Sequence, residues 1–343
     1  MNTDTNKLLE QCSYPMLLVE NGMVTQLNHA AAARQFLVGM KISDLICQGK
    51  EEYSQLTDGK LCLALQAESI VYPASVVKTE QYDIFRFDSE YDDPSLRAFA
   101  LAAKQLRQPL ANALICAEEL PTSEEQQQLN RSLYQLHRAV CNMSDVAKYS
   151  AQRSSRMESR DIAALFMQTA EKASAMLASA GITLHYNAPK KAVIGLVDAE
   201  KLERALLNLL SNAAKFTPEG QSVRADMSQK GNKLYVSVTG EGTQIPQQLQ
   251  GDLFSRYLRE PELEDGRWGI GLGLTLVRNA AMAHNGTLLL ENTLAGQKFT
   301  MSLSLAQSGD DIVRSPVLLP VDYTGGYDRV LVELSDVLPA DLY

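Results

Sequence analysis

Two asparagines and a lysine occupy one face of a predicted helix in the second half of the chain. Asn208 and Asn212 are four residues apart, and Lys215 follows almost one turn later, so the three side chains project from the same side. Two carboxamides and an ammonium on one helix face can hold Mg²⁺ and the oxygens of a triphosphate. By spacing alone, an amphipathic helix whose polar positions face solvent is the better explanation.

Further candidate phosphate ligands follow along the chain. Arg256 and Arg259 lie within one turn of each other if their segment is helical, and the planar fork of either can reach a phosphate. The run Gly269-Ile270-Gly271-Leu272-Gly273-Leu274 opens a predicted helix, and its glycines let backbone N–H groups approach phosphates at the helix N-terminus. A dinucleotide site is disfavoured, because the run does not belong to a βαβ unit with a following acidic residue.

The sequences of three segments, and their order along the chain, resemble the GHKL-type ATPase domain of sensor histidine kinases. NLLSNAAKFTP from Asn208 resembles the N box, LFSRYLR from Leu253 resembles the F box, and the glycine run resembles the lid. The resemblance implies an α/β sandwich over residues 158–307 that binds ATP and Mg²⁺, with Asn208 and Asn212 at the metal. The nucleotide ligands that it implies are Asn208, Asn212, Lys215, Phe216, Arg256, Arg259, Gly269, Gly271, Leu272, Gly273 and Leu274.

The segment VTGEGTQIP, from Val238 to Pro246, departs from this family. Its members have an Asp-x-Gly-x-Gly element whose aspartate accepts a hydrogen bond from the adenine amino group. Here Gly240 stands at the aspartate position and Gln244 at that of the last glycine. Glu241 is one residue late, and such a shift at a strand end turns a side chain to the opposite face. Loss of one charged acceptor predicts ATP binding weakened by about 1.5 to 3 kcal/mol.

A second departure lies in the segment KQLRQPL, residues 104–110, which resembles the phosphoacceptor box of the family. The family places a histidine at position 104 and an acidic residue at 105, because a neutral imidazole is nucleophilic near neutral pH and the carboxylate takes its proton. This chain has Lys104 and Gln105, which can do neither. The degenerate box consists of Lys104, Gln105, Arg107, Gln108 and Pro109, and it predicts no catalytic residue.

The four histidines of the chain offer no evident replacement for this acceptor. They are His29, His137, His185 and His284. Only His137 falls in the same helical region, and it lies on the second helix rather than the first. We expect each of the four to be a structural or solvated side chain.

The elements that position these groups begin with two helices of heptad pattern. Apolar residues alternate in steps of three and four along each helix, which predicts a packing seam. The first seam is Leu96, Phe99, Ala103, Leu106, Leu110, Ala113, Ala117 and Leu120, and the second is Leu129, Leu133, Leu136, Val140, Met143 and Ala147. Pro121 separates the helices, and Ser123 with Gln126 forms a capping box. One hairpin cannot bury both seams, so we predict a homodimer through a four-helix bundle.

The predicted fold class is multidomain α+β. Residues 1–92 resemble a PAS sensor domain, with a hairpin at Asn21-Gly22 and a short helix ending at Gly39. Residues 93–152 form the dimerisation hairpin and residues 158–307 the ATPase domain. The tail, residues 308–343, contains the run RVLVEL, which we predict to be a strand.

Composition narrows the function classes. The formal net charge of -9 and the lack of a long basic run disfavour nucleic-acid binding. Five widely spaced cysteines without a C-x-x-C pair fit reduced thiols in a cytoplasmic protein. No stretch approaches the roughly 20 apolar residues of a membrane helix, so we expect no membrane span.

The sequence thus predicts a histidine-kinase-like signalling protein without its acceptor. The first hypothesis is a pseudokinase that acts in two-component signalling as a dimeric scaffold or regulator, with weak or vestigial ATP binding. It would bind a response regulator or a heterologous histidine kinase. The alternatives are an active kinase or ATPase with a non-standard acceptor, and a phosphatase in which Gln108 orients water on a response regulator.

Overall fold

The structure of the chain is a computed structural model. It describes residues 9–10, 12, 14–79, 81–87, 94–150, 156–242, 272–305 and 323–343. The F box, Gly269 and Gly271 lie outside the described residues.

The N-terminal unit is an antiparallel sheet with short helices on it. Its strands are β1 (Met16–Glu20), β2 (Met23–Leu27), β3 (Ile46–Gln48), β4 (Lys60–Ala67), β5 (Ile70–Lys78) and β6 (Asp83–Phe87). Its helices are α1 (His29–Ala32), α2 (Ile42–Leu45) and α3 (Lys50–Gln55). The strand order is β2-β1-β6-β5-β4, with β3 pairing on β4.

The predicted hairpin at Asn21-Gly22 is confirmed. Glu20 pairs with Met23, and the two loop residues have φ of 50° and 76°, as a tight turn of this length requires. The helix predicted up to Gly39 is shorter than expected and ends at Ala32. Gln35 takes a left-handed φ of 66°, and Phe36 is fully buried in the core of this unit.

The two seam helices form the predicted hairpin. They are α4 (Pro94–Glu118) and α5 (Glu124–Ser150), and the hydroxyl of Ser123 accepts a hydrogen bond from the Gln126 N–H at 3.2 Å. Alternate seam positions separate into two sets. Ala103, Leu110, Ala117, Leu133 and Val140 are buried between the helices. Leu106, Leu120, Leu129 and Leu136 remain exposed.

In its described residues, the ATPase region has three helices against a mixed sheet. The helices are α6 (Ile162–Ser179), α7 (Ala199–Phe216) and α8 (Leu272–Ala283), and the strands are β8 (Thr183–Asn187), β10 (Ser222–Lys230), β11 (Lys233–Gly240), β12 (Leu288–Thr293) and β13 (Gly296–Ser304). Burial alternates strictly along β11 between buried and half-buried residues, so one face of the sheet is more deeply buried than the other. A separate two-stranded sheet joins β7 (Glu158–Asp161) to β9 (Ile194–Val197).

The two sheets join edge to edge. Strand β4 of the N-terminal unit pairs antiparallel with β12, and the described strands form an eleven-stranded sheet. Next to this junction the ammonium of Lys233 binds both carboxylate oxygens of Glu52 at 2.9 Å. A Cβ on Gly59 would lie 2.2 Å from the Leu290 carbonyl oxygen, which shows how closely the two backbones approach.

The C-terminal tail contains a helix where we predicted a strand. RVLVEL forms α9 (Arg329–Leu334), and the prediction was wrong. The side chain of Asp328 caps the helix by accepting hydrogen bonds from the N–H groups of Val330 and Leu331. Val330, Glu333 and Leu334, which helical spacing places on one side, are all buried.

Among the described helices, none combines the length and the hydropathy that a membrane crossing demands. The five cysteines are not joined to one another by disulfides.

His284 ties the end of α8 to the start of the N-box helix α7. Its Nδ1 donates to the Ala280 carbonyl at 2.7 Å, and its Nε2 accepts from the Asp198 N–H at 2.9 Å. This arrangement requires the neutral ring. Burial lowers the pKa of His284 below its ordinary value and outweighs the opposing effects of the Ala280 carbonyl and of Asp198.

We predict that this histidine makes the fold less stable in mild acid. Because its pKa is lower in the folded state, the unfolded chain binds more protons once the pH falls below about 6.5. The free energy of unfolding should then decrease by up to about 1.4 kcal/mol per pH unit. Denaturant unfolding of the wild type and of His284→Gln between pH 5 and 8 isolates this contribution. Equal pH slopes in the two proteins would contradict it.

Candidate functional site

The N-box helix α7 is buried on both of its long sides. Asp198 caps its N-terminus by accepting from the Lys201 N–H at 3.2 Å. Leu206 and Leu210 belong to the core cluster shared with the sheet. The polar side does not face solvent, since Asn208 is 0% exposed. The solvated polar face that spacing alone allowed is therefore absent at this position.

Asn208 is hydrogen-bonded on both ends of its carboxamide. Its Nδ2 donates to the Arg204 carbonyl at 3.0 Å and to Glu333 Oε2 at 3.1 Å. Its Oδ1 accepts from Arg138 Nη2 at 3.3 Å. The first predicted metal ligand thus contacts a carboxylate from α9 and a guanidinium from the hairpin.

Glu333 is the centre of a buried ion cluster. Its side chain is 0% exposed, and its two oxygens bind Arg204 Nε at 2.8 Å and Arg138 Nε at 3.1 Å. Arg204 also contacts the carboxylate of Asp145, and it donates to Asn142 Oδ1 at 2.6 Å. A carboxylate this deeply buried is tolerated only because cations and an amide surround it.

Lys215, the third predicted N-box ligand, also binds a C-terminal carboxylate. Its ammonium contacts Asp336, which accepts from Arg138 Nη1 at 2.6 Å as well. Burial alone would raise the pKa of Asp336, but the charges of Arg138 and Lys215 lower it below its ordinary value. Asp336 is therefore held as the anion.

The other described ligands of the predicted site lie close by. Asn212 and Phe216 are half-buried on α7, and Leu272 and Leu274 are buried at the start of α8. A Cβ on Gly273 would lie 2.7 Å from Asn208 Oδ1. The start of the lid helix therefore passes directly against the N box, and a side chain at position 273 would displace the Asn208 carboxamide.

The adenine end of the predicted site is tightly packed. A Cβ on Gly240 would lie 2.8 Å from Thr217 Oγ1 and 3.1 Å from the Ala213 carbonyl oxygen. Glu241 points elsewhere: it is exposed, and its carboxylate accepts from the Ser222 N–H at 3.1 Å. The glutamate thus brings no acceptor to the position that Gly240 leaves vacant.

The degenerate phosphoacceptor box lies on the exposed side of α4. Lys104, Gln105, Arg107, Gln108 and Pro109 are all exposed. Arg107 Nη2 donates to Ser144 Oγ of α5 at 3.2 Å, and Gln108 Nε2 donates to Asn112 Oδ1 at 3.0 Å. The box is accessible, and it holds no nucleophile of the expected kind.

His137 contacts the C-terminal segment, residues 323–343. Its Nε2 donates to the Thr324 carbonyl at 2.9 Å, and its ring packs against that of Tyr327 at 5.5 Å between centroids. His29 and His185 are exposed on the N-terminal unit and on β8. None of the four histidines lies on α4.

Sequence reasoning missed the charged residues that complete the site. Arg138, Arg204, Glu333 and Asp336 were not predicted. Arg204 carried a usable signal, since it precedes Asn208 by four residues and so shares its helix face. Glu333 carried a weaker one, as a single acid within an apolar run.

The present partners of Asn208 and Lys215 show whether these side chains are available to a magnesium–nucleotide complex. The carboxamide of Asn208 and the ammonium of Lys215 are groups that suit Mg²⁺ and phosphate oxygens. In this structure both bind carboxylates of residues 323–343 instead. The residue types therefore fit Mg·ATP, and the arrangement does not fit it while the C-terminal segment is in place.

Comparisons with known proteins converge on one family. The family model of the histidine kinase-, DNA gyrase B- and HSP90-like ATPase matches residues 197–307. The sensor histidine kinase TmoS of Ectopseudomonas mendocina is 31% identical over 211 residues, which are 58% of this chain and 22% of that protein. The adaptive-response sensory kinase SasA of Gloeothece citriformis is 25% identical over 66% of this chain and 63% of its own length.

One solved structure shares the fold. The crystal structure of full-length ShkA in complex with AMPPNP has a TM-score of 0.51 and 24% identity, and the match covers 62% of this chain and 47% of that one. The chain spans less than two thirds of the length of TmoS and of SasA. Residues 197–307 thus match an ATPase domain of the histidine kinase-, DNA gyrase B- and HSP90-like family, and the chain is similar to sensor histidine kinases.

Proposed function

We propose that this protein is a pseudokinase of two-component signalling, which acts as a dimeric scaffold or regulator and does not phosphorylate itself on the hairpin. The observation that carries the proposal is the exposed Lys104-Gln105 pair on α4, at the positions where the family has a histidine and an acid. A lysine ammonium has no free lone pair to attack a terminal phosphate. An amide cannot accept the proton.

The proposal includes weak binding of ATP. The ATPase domain implies ATP binding, usually with Mg²⁺. Gly240 supplies no carboxylate for the adenine amino group, and Thr217 and the Ala213 carbonyl oxygen crowd the space where a side chain would enter. Loss of a charged acceptor of this kind lowers affinity by about one to two decades.

A homodimer is supported by the exposed half of the heptad seams. Leu106 is 47%, Leu120 48%, Leu129 42% and Leu136 56% exposed, and these four seam positions are not used inside the hairpin. A second copy of the hairpin covers such a surface by completing a four-helix bundle.

A PAS-like sensor is supported by the order of the N-terminal sheet. Strands run β2-β1-β6-β5-β4, all neighbours antiparallel, with Phe36, Tyr72 and Phe87 packed together in the core. The partner that the proposal assigns is a response regulator or another histidine kinase, bound at the hairpin. Gln108, exposed on α4, would then face a response regulator as a possible positioner of water.

We predict that charges at the exposed seam positions dissociate the dimer. Leu106→Glu with Leu136→Glu should shift the full-length protein to monomer, because both changes place carboxylates at the bundle interface. The matched control is Leu101→Glu with Ile115→Glu, which changes two apolar positions of α4 outside the seam that are 63% and 54% exposed. Sedimentation velocity at micromolar concentration measures the outcome. A monomeric wild type would contradict the proposal.

We predict that restoring the acid at position 240 tightens ATP binding once room is made for it. Thr217→Ala removes the hydroxyl that a Cβ at 240 would meet at 2.8 Å. Gly240→Asp in that background should bind Mg·ATP about tenfold or more tightly than Gly240→Ala in the same background. Calorimetry measures both constants. Equal affinities would mean that adenine is recognised by other groups.

The proposed function is tested by phosphate transfer. The unmodified protein, incubated with Mg²⁺ and γ-labelled ATP, should form no acid-labile phosphohistidine. Lys104→His alone should restore little, since the acid and the adenine contact would still be missing. The informative comparison is the quadruple variant Lys104→His, Gln105→Glu, Thr217→Ala, Gly240→Asp, in which the Thr217 hydroxyl no longer obstructs the aspartate. Strong labelling of the unmodified protein, mapped to His137 or Lys104, would overturn the pseudokinase proposal.

A further inference from the structure

The C-terminal segment, residues 323–343, is clamped between the hairpin and the N-box helix. Along three turns of α5, side chains donate hydrogen bonds to its backbone carbonyls at Tyr323, Thr324, Ser335 and Tyr343. The donors are Cys141, His137, Gln135 and Asn130. On the other side, Val330, Leu334 and Leu338 enter the core cluster of the ATPase domain. The segment is therefore an integral part of this arrangement.

The two carboxylates of the segment contact N-box groups. Glu333 accepts from the Asn208 amide at 3.1 Å, and Asp336 binds the Lys215 ammonium. Both also bind Arg138, and Glu333 binds Arg204. Carboxylate oxygens thus occupy the donors that the ATPase domain offers to a phosphate chain.

The charge balance of the cluster changes when the segment leaves. In place, three cations (Arg138, Arg204 and Lys215) face three anions (Glu333, Asp336 and Asp145). Without Glu333 and Asp336, three cations face one anion, so these side chains carry a net charge of +2. Guanidinium and ammonium groups then attract a polyphosphate anion to the same donors.

We propose that residues 323–343 are a built-in competitor of nucleotide: Glu333 and Asp336 hold the N-box donors in the closed state, and a magnesium–nucleoside polyphosphate binds only after the segment has left. The inference rests on the nucleotide binding proposed above. Affinity is then reduced by the fraction of molecules that are open. Because the segment also bonds to α5, its release removes those of its contacts that link the hairpin to the ATPase domain, while Arg204 keeps its direct contacts with Asn142 and Asp145 of α5.

The competition is reciprocal, which gives two independent measurements. A change that weakens the docked segment must tighten nucleotide binding, and bound nucleotide must loosen the segment. Hydrogen exchange of residues 323–343 reports the docked state without any nucleotide. Calorimetry with Mg·ADP reports the affinity without turnover.

The test compares full-length Glu333→Gln/Asp336→Asn with Asp341→Asn. The double variant removes the two charges while keeping the side-chain shapes, and Asp341→Asn removes one charge of the same segment at an exposed position. We expect faster exchange of residues 323–343 and Mg·ADP binding roughly tenfold or more tighter in the double variant. The control should match the wild type in both.

Results other than these would contradict either the competition by the segment or the proposed nucleotide binding. If the segment is freed and Mg·ADP affinity is unchanged, the segment is no competitor, and the proposed nucleotide site stands. If the segment is freed and Mg·ADP still does not bind at millimolar concentration, both the inference and nucleotide binding fail. Should the double variant not fold, the wild type decides: saturating Mg·ADP must speed exchange of residues 323–343, and full protection with nucleotide bound overturns the inference.

Discussion

The burial of the Glu333 carboxylate is the constraint on which the arrangement of the domains depends. A buried carboxylate costs several kcal/mol unless cations and hydrogen-bond donors surround it. Here the donors come from α5 through Arg138 and from α7 through Arg204 and Asn208. The cluster is stable only when all three elements are present, since removal of one member leaves an uncompensated charge. Under the proposal made above, withdrawal of the whole segment would let water solvate the remaining cations, which favours a docked and a released state over intermediate ones.

A second connection fixes the opposite side of the ATPase domain. Strand β12 would be an exposed sheet edge, and β4 of the N-terminal unit covers part of it with backbone hydrogen bonds. The bidentate contact of Lys233 with Glu52 lies beside this pairing. The N-terminal unit therefore contacts the ATPase sheet directly, and a structural change in β4 can reach that sheet without passing through the hairpin helices.

The sequence predicted what depends on local pattern. Heptads, caps and alternation identified the hairpin, the turn at Asn21-Gly22 and the N-box helix, because these signals lie within a few residues of each other. Prediction from the sequence failed where contacts between residues far apart in the chain determine the structure. RVLVEL fits a strand by its alternation, but Asp328 caps a helix and Glu333 finds Arg138 far away in the chain. The close packing of Gly240 against Thr217 likewise depends on a tertiary contact that spacing does not reveal.

Three departures from an active kinase meet in this chain, and they differ in kind. Position 104 has a different amino acid, lysine instead of histidine, and no conformational change can supply the missing imidazole. Gly240 lacks an acceptor and has no room for one until Thr217 moves. The filled N box, in contrast, depends on the position of one segment, and under the proposal made above it is reversible. Under the proposals made above, nucleotide in this protein is then a ligand that selects between closed and open arrangements rather than a phosphate donor. Selection needs binding that differs between two states, and it needs no acceptor at all.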